Sequence, residues 1–220
     1  MAEEEDIFLR EIDEDLKAER LAKIWDTYGT YAIAGALALV IGVAGTKGWQ
    51  SYDLSQRMDQ GERFAQAEQL VTDGKTEDAL SALQGMAKDA GAGYAMLARF
   101  RAAALVGKQG DSAGAAGMYA ALADDNDVNV IYRDLAVVLG ALQELESNKT
   151  GDALVARANE LSKAESPWRH NAQEVQALSA LGGGDTKAAD EIFKQLADAA
   201  GAPQGVRARA REMLNITGNN

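Results

Sequence analysis

Residues Thr27 to Thr46 carry no charge, and this run constrains the chain more than any other feature. Its centre reads Tyr31-Ala-Ile-Ala-Gly-Ala-Leu-Ala-Leu-Val-Ile-Gly-Val-Ala-Gly45. As a helix, twenty residues extend about 30 Å, the hydrocarbon thickness of a bilayer. Asp26 closes the run on one side and Lys47 on the other, with Trp25, Tyr28 and Tyr31 at one edge and Trp49 and Tyr52 at the other. Amphipathic rings favour the headgroup level, so the edges read as two aromatic belts. A buried core helix of this length would show a polar stripe, and none is present. A secretory leader would be short and basic, whereas the 26 residues before the run hold ten acids and four bases. The run therefore reads as an uncleaved anchor that crosses a lipid bilayer once.

Charge bias orients such an anchor only slightly. Arg10, Lys17, Arg20 and Lys23 precede the run, and Lys47, Arg57 and Arg63 follow it. Four bases against three favour a cytoplasmic N-terminus. Ala34, Ala38 and Gly42 are spaced four apart on one face, where small side chains admit a second membrane helix. They are the expected intramembrane contact. In the acidic tail, Leu9, Ile12 and Leu16 fall near helical spacing, as a solvated lead-in helix or a docking helix for a cytoplasmic partner. The organisation expected is an acidic helical tail over 1–26, an anchor over 27–49 and a repeat domain over 50–220.

The net charge of −12 and the lack of a Lys/Arg stripe leave nothing to neutralise a phosphate backbone, so nucleic acid is not an expected partner. The absence of cysteine removes disulfides, Cys-ligated metals and a thiol nucleophile. Abundant Ala and Gly with two prolines is an all-α composition.

After the run the sequence repeats. Gly74-Lys-Thr-Glu-Asp-Ala79, Gly110-Asp-Ser-Ala-Gly-Ala115, Asn148-Lys-Thr-Gly-Asp-Ala153 and Gly184-Asp-Thr-Lys-Ala-Ala189 begin 36, 38 and 36 residues apart. Gly or Asn at the turn suits a left-handed helix end, and Thr76, Ser112, Thr150 and Thr186 are placed to cap the next helix. Alanine follows each turn start by five (Ala79, Ala115, Ala153, Ala189) and precedes it by seven (Ala67, Ala103, Ala141, Ala177). Antiparallel helices joined by a tight turn approach closely only where both carry small side chains. Larger residues then fill the widening space: Leu83 and Met86, Tyr119 and Leu122, Leu161, Phe193 and Leu196. The third repeat breaks the pattern, with Arg157 and Glu160 at apolar places, and is expected to be degenerate or shifted in register. Gln204 to Ile216 reads as a terminal helix capping the stack.

No catalytic constellation accompanies the repeats. The single histidine, His170, has no partners at the spacing of a metal or acid–base site. The acidic run Asp124–Asn129 lacks the Gly and Glu of a calcium loop, and Gly182–Gly184 lacks the Lys-Ser/Thr of a phosphate loop. The chain is expected not to be an enzyme and to take no cofactor, metal or small-molecule substrate. Binding remains. The first helices of the hairpins would line a groove, with Phe64, Leu97, Phe100, Leu135, Val138, Leu142, Asn171 and Leu178 facing it or buried beneath it.

The alanine spacings, with an aromatic nine after the turn at Tyr119 and Phe193, resemble the tetratricopeptide repeat. The fold class this implies is all-α: one N-terminal transmembrane helix, then a TPR-like α-solenoid of about four hairpins and a capping helix. At a second level, Asp6-Ile-Phe-Leu-Arg-Glu-Ile-Asp-Glu-Asp-Leu-Lys17, Trp25-Asp-Thr-Tyr-Gly-Thr-Tyr31 and Gly48-Trp-Gln-Ser-Tyr52, in this order before such repeats, resemble the ancillary subunit family of the bacterial Sec translocon. That resemblance implies an inner-membrane protein with a cytoplasmic N-terminus and a periplasmic repeat domain. Its implied partners are the translocon and periplasmic chaperones or secreted clients. The alternative is a TPR-like assembly factor for outer-membrane or cell-division complexes.

Overall fold

The structure, a computed structural model, describes residues 2–147 and 153–218. Among them nine α-helices and no strands occur. The chain resolves into two compact units, Met1–Met58 and Asp59–Asn220. Helix α1 (Ala2–Thr72) contains the first unit and continues into the second. Within it the segment Leu21–Thr72 is long and apolar enough to cross a membrane. Ile33, Leu37, Leu39, Val40 and Ile41 are exposed, as are Trp25, Tyr28, Tyr31, Trp49 and Tyr52 at the edges. A helix that served as the core of a soluble domain would bury such residues.

The second unit is a stack of hairpins. The end of α1 pairs with α2 (Thr76–Asp89), α3 (Ala92–Lys108) with α4 (Ser112–Ala123), α5 (Val130–Glu146) with α6 (Ala153–Leu161), and α7 (Arg169–Gly182) with α8 (Thr186–Asp198). Helix α9 (Gln204–Thr217) closes the stack against α8 and α7. From α2 onward each helix packs on the next, and the first helices also meet one another, α5 with α7 and α7 with α9. This is the all-α solenoid of four hairpins plus a cap.

The turns show why the repeat has its spacing. Gly74, Gly110 and Gly184 have φ of 74°, 91° and 85°, the left-handed region where a side chain would be strained. Behind each glycine the chain doubles back: the amides of Lys75, Asp111 and Asp185 donate to the carbonyls of Leu70, Val106 and Ala180 at 2.9, 3.3 and 2.9 Å. The expected caps shift by one residue. Thr76, Ser112 and Thr186 are the first helical residues, and the side chains of Asp111 and Asp185 accept from the amides of Gly114 and Ala188 at 2.8 and 3.0 Å. The residue after a left-handed glycine is already at the cap position, so its side chain takes that role. Lys75 has no acceptor to offer. Thr150 lies outside the described residues.

Seven of the eight marker alanines, Ala67, Ala103, Ala141, Ala177, Ala79, Ala115 and Ala189, are fully buried. Ala153 is exposed, and the third hairpin follows a register shifted by one. Leu154 takes the buried place of the second-helix alanine, Ala158 that of Leu83, Tyr119 and Phe193, and Leu161 that of Met86, Leu122 and Leu196. Gly140 on α5 makes room for Leu154. Glu144 then caps α6 from the preceding helix, accepting from the amides of Leu154 and Val155, both at 3.0 Å.

Ion pairs recur with the repeat. Arg63 donates to both Asp89 oxygens at 2.9 and 3.1 Å, and 36 residues on Arg99 pairs with Asp125. Each joins a first helix to the far end of its partner. A second set joins successive first helices: Arg101 of α3 to Glu68 of α1, and Arg209 of α9 to Glu174 of α7, the latter through two bonds of 2.6 Å. Glu174 is 9% exposed. Removing a partner from a fully buried pair costs about 3–5 kcal/mol, and the half-exposed Arg209 guanidinium scales this down to about 2 kcal/mol for Arg209→Ala. Hydrogen exchange of α9 amides is expected to speed up roughly 30-fold, since 1.4 kcal/mol is tenfold. Unchanged protection of α9 would show that the pair holds nothing.

Candidate protein-binding face

The eight residues expected on the first-helix face divide by burial. Val138 is 3% exposed and belongs to the middle core cluster, so it is not part of a surface. Phe64 is half-buried against Tyr94, with ring centroids 6.4 Å apart, and Phe100 against Tyr119 at 6.0 Å. Leu142 and Leu178 are half-buried on the middle and C-terminal clusters, and Leu135 and Asn171 are half-buried too. Leu97 is 45% exposed. The physical reason is the layering: a first helix packs on second helices and, in α5, α7 and α9, on other first helices, which leaves little free surface. Burial also pushes the Tyr119 hydroxyl above its usual pKa, so it stays a neutral core group.

Exposed apolar surface lies instead at the start of α5. Val130, Ile131 and Tyr132 are 56%, 45% and 42% exposed. Three consecutive residues of a helix point about 100° apart, so they cannot all turn inward. That signal was present in the sequence beside the capping residue Asn129, whose side chain accepts from the Ile131 amide at 3.0 Å. Next to them Trp168, at the start of α7, donates its indole N–H to the Ile131 carbonyl at 2.8 Å.

Charged groups in the region close the fold. In the acidic turn, Asp124 receives Arg157, Asp125 receives Arg99 and the Asp127 amide, and Asn126 receives Arg133. The Arg99 guanidinium holds the Asp125 carboxyl below its usual range. His170 contacts Gln173 at 3.1 Å and Arg169 at 3.2 Å. Among the described residues no group of three or more His, Asp or Glu side chains is placed to hold a metal. In α1, Ala34, Ala38 and Gly42 are all exposed, and a Cβ at Gly42 would meet nothing within 4 Å.

Helical hairpins of this form, stacked with a closing helix and displaying apolar side chains between charged ones, make a protein-binding helical scaffold. The tetratricopeptide repeat-like domain family matches residues 23–160, more than half of the chain, and the protein belongs to that family. The matched stretch begins at Lys23 and so includes the uncharged run as well as the first two hairpins and most of the third. No curated protein and no solved structure matches the chain.

Proposed function

We propose that the protein is a non-enzymatic scaffold anchored in a bacterial inner membrane, with its repeat domain in the periplasm. There it binds chaperones or secreted clients beside the Sec translocon. The observation that carries the reading is the uncharged run with aromatic edges, on a helix whose apolar side chains are exposed, joined directly to a repeat scaffold. In a bilayer those side chains have lipid around them and every backbone group is bonded within the helix. A tether of this kind holds a binding domain beside membrane partners and raises its effective concentration there. The motifs of the tail and the run's edges support the translocon as neighbour.

Orientation is tested by fusing a phosphatase that works only after export behind Asn220. Activity is expected, and an inactive fusion that is nonetheless made in full would overturn the periplasmic placement. The partner is tested by photocrosslinking from Ala38 and from Leu97 in native membranes. Adducts with translocon subunits and periplasmic chaperones are expected. Adducts only with outer-membrane assembly or cell-division proteins would overturn the secretion reading in favour of an assembly factor.

A further inference from the structure

The third hairpin departs from the others in three ways that converge on one place. Helix α6 ends at Leu161, the repeat position of Met86, Leu122 and Leu196, whereas α2, α4 and α8 run on to Asp89, Ala123 and Asp198. At the place of Leu83, Tyr119 and Phe193 it carries Ala158. And where the first two hairpins close their open ends with Arg63–Asp89 and Arg99–Asp125, the residues at the same repeat positions are Val137 and, in the shifted register, Ala164. The result is a cleft of about 500 Å³ between α5 and α6. Val137, Leu161 and Ala164 give it apolar walls, and Asp134, Arg157 and Glu160 stand around it.

We propose that this cleft docks an amphipathic helix of another protein, with two apolar side chains two turns apart and a lysine or arginine between them. Charge sets the base. Arg157 is engaged by Asp124 at 2.8 Å and by the Ala123 carbonyl at 3.3 Å. Asp134 accepts from the Ser166 hydroxyl at 2.8 Å and, among the described residues, has no cationic partner. Among the described residues Glu160 meets only the exposed Lys163, three residues on, a pair water readily separates. The cleft is therefore an apolar hollow with unneutralised carboxylate at its rim, on a repeat domain whose 24 acids against 17 bases over 50–220 draw basic segments toward it.

Helix geometry sets the spacing. Val130, Asp134 and Val137 are related as i, i+4 and i+7 on one face of α5, about 10 Å from first to last. Val130 is exposed and Val137 lies in the cleft wall. A helix laid along this face seats one apolar side chain on Val130, a second in the cleft, and a base between them on Asp134. The site is separate from the first-helix face around Leu97 and does not depend on the translocon as partner.

The test uses the full-length chain in lipid nanodiscs and a labelled 16-residue helical peptide with leucines at positions 4 and 11 and lysines at 7 and 8. Fluorescence anisotropy is expected to show saturable binding, at least tenfold weaker when both lysines are replaced by glutamate. Asp134→Lys should weaken the lysine peptide at least tenfold. Ala156→Trp, which fills the cleft from an exposed position, should do the same while the thermal melt stays unchanged. Leu97→Ala should leave binding intact. Equal binding of the two peptides would overturn the proposal, as would no binding, or loss through Leu97→Ala in place of Asp134→Lys. So would sedimentation showing that the cleft joins two copies of this chain, a dimer dispersed by Ala156→Trp. Failure to crosslink the translocon would leave the peptide result standing.

Discussion

Phe193→Ala is expected to destabilise the C-terminal end of the repeat domain by about 3–5 kcal/mol. Phe193 is fully buried and is the largest side chain of a cluster formed by α7, α8 and α9, which includes Ala177, Leu196, Val206 and Ala210. Truncation removes the ring and leaves a void that these small neighbours cannot refill. Because a repeat contacts only its neighbours, the loss should stay local. Hydrogen exchange should show α7–α9 losing protection while α3 and α4 keep theirs. Lys194→Ala, an exposed substitution on the same helix, should change stability by less than about 0.5 kcal/mol. Uniform loss of protection across all hairpins would show instead that the domain unfolds as one unit.

Much of this architecture was legible in the sequence because it rests on hard steric limits. A turn that needs positive φ calls for Gly74, Gly110 and Gly184, and close helix approach calls for the buried alanines. Features decided by a choice between adjacent similar residues were not legible. Asp111 and Ser112, or Asp185 and Thr186, can each cap a helix, and only the backbone of the preceding glycine selects the aspartate. The shifted third repeat was visible as a conflict at Arg157 and Glu160, but the position of the extra residues was not. Its resolution depends on Gly140 and Glu144 in the helix before. The binding face was the least legible part. Apolar residues on a first helix obey one periodicity whether they meet a second helix, the next first helix or a partner, so Val138 and Leu97 look alike in sequence and differ wholly in exposure.

The sharpest check of the shifted register is a substitution whose sign runs against helix propensity. Glycine inside a helix is less favourable than alanine by about 1 kcal/mol, so Gly140→Ala in α5 would ordinarily stabilise. Here a Cβ at position 140 would stand 2.5 Å from Leu154 Cδ1 and 2.9 Å from Tyr119 Cβ. The leucine tip can rotate, but the Tyr119 Cβ is fixed to the backbone of α4, and close-packed interiors yield little. Overpacking costs about 1–3 kcal/mol, so Gly140→Ala should be a net loss of about 1 kcal/mol, and Gly140→Leu should lose about 3 kcal/mol or more. Coupling to Leu154 isolates the cause. Alone, Leu154→Ala opens a cavity and costs about 2–4 kcal/mol. Beside Gly140→Ala the added methyl occupies part of that space and the closest clash is gone. The double variant should therefore be more stable than the sum of the singles by at least about 1 kcal/mol, read from urea unfolding of all four proteins. If the two effects add, or Gly140→Ala raises the midpoint, Leu154 does not pack over Gly140 and α6 follows the same register as α2, α4 and α8.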